Sequence, residues 1–235
     1  ATEDHDFEEI NYFNFKGKKI QWNKDASGAV GHFNTNGLEE VFTTYLNLLG
    51  TNVNAKTLKE LFEAAYLKHN NLTDATRYLA NELFGAYGLV IVDGDDARLK
   101  NVLIPFIKKD ILNQTAHKAV SETIEKLQGL ETNYGVQVNP REINYFYLTD
   151  GLRERIVERD GTYYVNDTNI KFSKEALLEE LQAHPERFSP NVIARPLFQE
   201  VILPNLCYIG GGGELAYWLE LKSAFETINV PFPLL

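Results

Sequence analysis

The chain has 235 residues, 44% hydrophobic and 24% charged, the balance of a globular protein that can bury a full core. A formal net charge of −10 argues against nucleic acid as a partner, because binding phosphates needs a basic surface. No apolar run approaches the roughly 18 residues of a membrane-spanning helix, and no signal-peptide pattern opens the chain, so a cytoplasmic protein with no membrane partner is expected. The single cysteine, Cys207, cannot make an internal disulfide.

Residues 11–22 alternate about Gly17 and predict a hairpin that uses Tyr12, Phe13, Phe15, Ile20 and Trp22. From 37 to 86 the apolar residues recur at helical spacing: Leu38, Val41, Phe42 and Tyr45, then Leu58, Leu61, Phe62 and Ala65. A third helix over 72–84 has Asn71 or Thr73 as its cap. The run Leu-Val-Ile-Val at 89–92 reads as a buried parallel strand ending in Asp93-Gly94-Asp95. One long helical stretch over 97–130 follows, kinked at Pro105. Val136 and Val138 start a short strand, and 143–166 reads as a β meander with turns at 149–151 and 160–161. Ser173 caps a helix that ends near 183.

The last segment carries the most information. A polar turn opens a helix bearing Arg195, Gln199 and Glu200. The apolar run 206–209 then predicts a second buried strand, with Cys207 as a small interior residue. Gly210, Gly211, Gly212 and Gly213 lead into an amphipathic helix from Glu214. A strand that ends in glycines and feeds a helix offers backbone N–H groups to an anion. These glycines also permit close ligand approach and positive φ. The expected fold is therefore α/β: a three-layer core with a parallel sheet that includes 89–92 and 206–209. A helical insertion at about 37–86 and a β-meander insertion at about 143–166 lie outside that sheet.

Four candidate sites follow. Glu3, Asp4, His5 and Asp6 are four consecutive ionisable residues that cannot all face a core. His5 and an aspartate there could bind phosphate, a substrate amine or a divalent cation, or the run could be a solvated loop with a capping aspartate. It has no zinc-ligand spacing. The glycine turn lacks both the P-loop Gly-Lys-Ser/Thr and the G-x-G-x-x-G spacing, since Leu215 stands at the sixth position. It is either a phosphate-binding turn or a tight strand-to-helix connection. Arg195, with Gln199 one turn on and Asn205 beyond, could fork a carboxylate or phosphate, or Arg195 could form an internal salt bridge with Glu200. Asp93, at the carboxyl end of a strand, suits a ribose, an amine or Mg²⁺, and Asp95 suits a helix cap.

Four stretches carry a family resemblance: ATEDHDFEE at 1–9, YGLVIVDGD at 87–95, GLRERI at 151–156, and 189–218. Together and in this order they resemble the core domain of the bacillithiol biosynthesis cysteine-adding enzyme (cysteine ligase) family. The resemblance implies a Rossmann-like core, of which 1–235 would be an internal fragment. Upstream core strands and a C-terminal coiled coil that makes a homodimer would lie outside it. The absence of methionine fits such a fragment.

The resemblance also implies addition of cysteine to glucosaminyl malate through a carboxylate activated by ATP, with ADP and Mg²⁺ as associated ligands. Asp4, His5, Asp6 and Arg195 are the candidate catalytic residues. Gly210, Gly211, Gly212, Gly213, Glu214 and Asp93 are candidates for cofactor binding, and Glu3, Gln199 and Asn205 for substrate binding. The alternatives are a non-catalytic Rossmann-like module that holds a nucleotide or small molecule, and a metal-dependent hydrolase built on Asp4, His5, Asp6 and Asp93.

Overall fold

The computed structural model describes residues 7–130 and 133–235, which divide into two compact units. The first comprises Ala1–Gly94 with Thr149–Leu152, and the second Asp95–Leu148 with Arg153–Leu235. No helix of the described residues is long and apolar enough to cross a membrane.

In the first unit a short helix, α1 (Phe7–Ile10), precedes the hairpin β1 (Tyr12–Phe15) and β2 (Lys18–Gln21). Its turn residues Lys16 and Gly17 both have positive φ, 48° and 76°, the backbone twist that two-residue hairpin turns need. Three helices follow: α2 (Leu38–Leu49), α3 (Ala55–Tyr66) and α4 (Leu72–Phe84). Asn71 caps α4, its side chain accepting from the Asp74 amide at 2.8 Å. Leu38, Val41 and Leu72 close over Ile20, Trp22, Val30 and Phe33 to make the core. Residues 33–35 are pinned to the α3–α4 connection. The Leu72 amide donates to the Phe33 carbonyl at 3.0 Å, and Thr35 Oγ1 donates to the His69 carbonyl at 2.6 Å.

In the second unit α5 (Ala97–Asn113) and α6 (Thr115–Leu130) are separate helices. The expected continuous helix breaks at Gln114, which takes a left-handed φ of 54°. Asp110 makes the break stable, because its Oδ1 accepts from Thr115 Oγ1 at 2.9 Å and from the Ala116 amide at 2.7 Å. Pro105 lies inside α5.

The meander supplies β3 (Tyr145–Thr149), β4 (Leu152–Arg159), β5 (Thr162–Val165) and β6 (Lys171–Phe172). After α7 (Lys174–Ala183), the strand β7 (Phe188–Pro190) completes a five-stranded sheet of order β6-β5-β4-β3-β7. The pairs β3–β7, β4–β5 and β5–β6 are antiparallel. Ser173 caps α7 by accepting from the Ala176 amide at 3.2 Å, as its sequence predicts. The chain ends with α8 (Arg195–Ile202) and α9 (Gly212–Thr227). α6 and α9 pack together through Val120, Ile124, Trp218, Leu221 and Phe225.

The parallel sheet expected from 89–92 and 206–209 is not formed among the described residues. Run 89–92 has no regular structure, and Val90 is 70% exposed. Run 206–209 makes one isolated parallel bridge, Cys207 to Leu234, through hydrogen bonds of 2.8 and 3.1 Å. Cys207 is exposed rather than buried, and Leu206 and Ile209 are over 90% exposed. A β-forming apolar run becomes an interior strand only when neighbours hydrogen-bond to both of its edges and cover its faces. Val136 and Val138 likewise form no strand, because Glu220 takes the amides of this segment.

Gly28 has φ 92°, and a Cβ on it would lie 2.9 Å from the Gly151 carbonyl carbon, whereas Gly17 at φ 76° faces open space. Gly28→Ala adds a backbone clash to left-handed strain and should cost about 1–3 kcal/mol. Gly17→Ala bears only the strain and should cost less, an order that urea unfolding midpoints will check.

Burial raises the Asp110 carboxyl above its usual range, against its hydrogen bonds to Ala116 and Thr115, which lower it. A raised folded pKa contributes stability below the unfolded value, and that stability is lost as pH rises through the folded one. Asp110→Asn keeps an oxygen for the cap but cannot ionise. Its stability relative to wild type should therefore improve from pH 4 to pH 7, measured by denaturant melts at each pH.

Candidate functional site

The second unit gathers one polar constellation around the start of α9. Asn191 builds its near side: its Oδ1 accepts from the Ile193 and Ala194 amides at 2.9 and 3.2 Å, and this turn opens α8 with Arg195 as first residue. Arg195 is half-buried, and its Nη1 lies 3.5 Å from Gln199 Oε1 one turn on. Its charge also reaches the phenols of Tyr208 and Tyr217. Tyr217 is buried and donates to the Val192 carbonyl; burial raises its pKa, with the Arg195 cation acting in the opposite sense.

Glu200 is 2% exposed and engaged by local donors. It accepts from the Asn205 amide and from Asn205 Nδ2, both at 2.7 Å, and from Gln199 Nε2 at 3.1 Å. These bonds close the turn from α8 into run 206–209. They give Asn205 and Glu200 a role in shaping the backbone, with Arg195 and Gln199 on the adjoining surface.

Tyr208 is the residue that the sequence reading missed. Its hydroxyl donates to Glu214 Oε2 at 2.8 Å, and its ring stacks on Trp218 with centroids 4.2 Å apart. Burial, then the Glu214 carboxylate, raises its pKa. An aromatic residue six positions before an acid carries no periodic signal, so only the tertiary fold reveals the pair.

The glycines divide by function. A Cβ at Gly210 would lie 2.9 Å from both Tyr208 Cε1 and Glu214 Cβ, so that position needs the smallest residue. Gly211, Gly212 and Gly213 face open space. None of the four has the positive φ that the sequence allowed. Gly211 is the N-cap of α9 and has no side chain to cap the helix, so the first-turn amides face outward at the positive end of a 16-residue helix. Glu214 sits in that first turn.

The remaining predicted residues lie elsewhere. Asp93 is in the first unit, half-buried, in a segment without regular structure. Asp95 does not cap α5; its Oδ1 accepts from the fully buried Lys100 Nζ at 2.5 Å. The cap is Asp96, which accepts from the Arg98 amide at 2.8 Å. Glu3, Asp4, His5 and Asp6 lie outside the described residues. Among the described residues no three His, Cys, Asp or Glu side chains are grouped to hold a metal ion. A cleft of about 600 Å³ in the first unit is lined by apolar and aromatic residues such as Trp22, Tyr45 and Phe62, and among the described residues no carboxylate, imidazole, lysine or arginine lines it.

Gly210→Ala should push the Tyr208 ring off Trp218 and break its bond to Glu214, whereas Gly212→Ala should leave both in place. Near-ultraviolet circular dichroism, to which the stacked Tyr208 and Trp218 rings contribute, should change in the first variant and not in the second.

The whole chain, residues 1–235, matches the family model described as bacillithiol biosynthesis BshC, N-terminal Rossmann-like domain. Among its curated relatives are three proteins named "Putative cysteine ligase BshC". That of Flavobacterium johnsoniae is 63% identical over 235 residues, 100% of this chain and 44% of the relative. That of Christiangramia forsetii is 59% identical over 239 residues, again 100% and 44%. That of Bacillus cereus (strain G9842) is 34% identical over 249 residues, 99% and 45%. The chain thus spans a little under half the length of these relatives. It belongs to the family of the BshC N-terminal Rossmann-like domain.

Proposed function

We propose that this chain forms part of a cysteine ligase of bacillithiol biosynthesis that joins the carboxyl group of cysteine to the amine of glucosaminyl malate. The names of the relatives support the reaction class. The observation that carries the site is the glycine-led start of α9, open to solvent beside the Arg195 and Tyr208 side chains. A carboxylate is a poor electrophile, so amide formation needs a better leaving group, which ATP would supply as an adenylate or acyl phosphate.

In this reading the Gly212 and Gly213 amides and the Arg195 guanidinium bind the phosphates or the developing oxyanion. Gln199, one turn along α8, orients the same ligand. His5, with Asp4 or Asp6, takes a proton from the substrate ammonium, so that the free amine attacks the activated carboxyl and AMP or phosphate leaves. Asn205 shapes the turn beside these residues through Glu200; the family resemblance alone assigns Glu3 to the substrate and Asp93 to the nucleotide, which Mg²⁺ would accompany. The enzyme would act in the cytoplasm as a dimer.

One observation favours a second reading, a nucleotide- or small-molecule-binding module without chemistry: the glycine turn has neither the P-loop nor the G-x-G-x-x-G spacing. The Glu214 carboxylate, held by Tyr208 in the first turn of α9, competes with a phosphate in either reading.

The test uses the intact protein supplied with cysteine, glucosaminyl malate and ATP. Wild type should form bacillithiol. Arg195→Ala should lose about 10²–10³ in rate, as for removal of one donor to a developing charge. His5→Ala should abolish the product with the fold retained by circular dichroism. Nucleotide binding without product in wild type would favour the second reading. Normal turnover of His5→Ala would remove that residue from the mechanism.

A further inference from the structure

A second polar site lies in the first unit, on one face of α4. Asp74, Arg77, Tyr78 and Asn81 follow the i, i+3, i+4, i+7 spacing that puts them on one side of a helix. With His69 before the helix and Ile91 after it, they line a pocket of about 310 Å³. An acid, a guanidinium, an imidazole, a phenol and an amide thus meet in one concavity with Ile91 as its apolar residue, a lining that suits a small, charged ligand.

These groups are held in place. The imidazole of His69 has its Nδ1 2.9 Å from the Ala65 carbonyl and 3.0 Å from that of Ala64. A carbonyl cannot donate, so Nδ1 carries the proton and Nε2 is the ring nitrogen left for a ligand. The His69 ring rests against Tyr78, centroids 5.0 Å apart, and its carbonyl accepts from Thr35 Oγ1 at 2.6 Å. Asp74 Oδ2 accepts from Asn71 Nδ2 at 2.8 Å, which fixes its carboxylate at the start of α4. A Cβ at Gly85 would come within 2.8 Å of Asn81 Oδ1, so that glycine makes room for the amide.

The opposed charges select the ligand. Arg77 Nη1 and Asp74 Oδ1 are 3.6 Å apart, neighbours without a bidentate bond, and both side chains are about half exposed. Such a loose, solvated pair contributes little to stability and opens readily to a ligand. An α-amino acid carries its carboxylate and ammonium on one carbon, at a spacing that matches an acid and a guanidinium one helical turn apart. Arg77 can fork the carboxylate, and Asp74 accepts from the ammonium. Tyr78 and Ile91 offer an apolar wall to a short side chain, and His69 Nε2 a hydrogen-bond acceptor.

We propose that the α4 pocket, with Arg77 and Asp74 as its charged poles, binds a free α-amino acid by its zwitterionic head. Cysteine is the amino acid chosen because the ligase reading above makes it a substrate; the α4 pocket is a binding site separate from the α9 residues to which that reading assigns the reacting carboxyl.

The test is calorimetric titration of the intact protein, with and without a non-hydrolysable ATP analogue. Three probes are used: L-cysteine, cysteamine, which lacks the carboxylate, and 3-mercaptopropionate, which lacks the ammonium. Arg77→Gln should weaken L-cysteine at least tenfold and leave cysteamine unchanged. Asp74→Asn should weaken L-cysteine similarly and leave 3-mercaptopropionate unchanged. Circular dichroism checks that each variant is folded, and either variant alone suffices if the other is not. L-cysteine binding that is indifferent to both substitutions, or absent from wild type, overturns the proposal. An enzyme that makes bacillithiol yet ignores both substitutions refutes the pocket and leaves the ligase reading standing. A protein that binds cysteine through Arg77 but makes no thiol product does the reverse.

Discussion

The second unit depends on one buried carboxylate. Glu220 is fully buried in α9 and accepts from Tyr134 Oη and the Gln137 amide at 2.9 Å and from the Val138 amide at 3.1 Å. A buried charge is tolerated only when donors surround it, and each buried donor left without an acceptor costs about 1–3 kcal/mol. The carboxylate and the segment 134–138 therefore require one another. Burial, with the Glu220 carboxylate adding to it, pushes the Tyr134 phenol up to about 12, so this donor stays protonated across the neutral range. The same contact sets Val138 into the apolar cluster shared by α6 and α9.

The candidate site inherits its position from that arrangement. α9 is anchored by Glu220, Trp218 and Leu221, all fully buried, while its first turn projects outward. Tyr208 lies against Trp218, so run 206–209 is tied to the helix that it precedes. Arg195 reaches the same place from α8, whose start is set by Asn191. Rigid packing at one end of a helix and open amides at the other form the arrangement by which helices hold anions. Glu214 moderates it, since a carboxylate already satisfies part of the positive end.

The first unit is organised differently. Its core is aromatic, with Phe62 stacked against both Phe42 and Tyr45 at 5.3 Å. In its loops, Thr35 and Asn71 fix the backbone. Lys100 and Asp95, at the start of the second unit, show the structural use of charge. A fully buried ammonium is paired at 2.5 Å and also donates to the Glu186 carbonyl at 3.0 Å. The Asp93-Gly94-Asp95 motif thus serves two ends: Asp95 in a buried pair, and Asp93 in the unit before it.

Local pattern alone determined the elements whose signals are local. The hairpin about Gly17, the helices α2 to α4, the Asn71 and Ser173 caps and the meander all follow from periodicity, turn chemistry and capping within a few residues. The glycine turn and Arg195 stood out as a candidate site because glycines before a helix and a cation beside it have a local signature. What the tertiary structure decided depends on partners distant in sequence. Runs 89–92 and 206–209 have strand composition, but a parallel strand exists only with neighbours on both edges, and a single bridge to Leu234 is what run 206–209 finds. The break at Gln114 depends on Asp110 reaching the next helix, and the Tyr208–Glu214 and Glu220–Val138 bonds join residues without a shared period. The polar face of α4 was not read from the sequence; its concavity comes from His69 and Ile91 closing around it, which only the folded chain brings about.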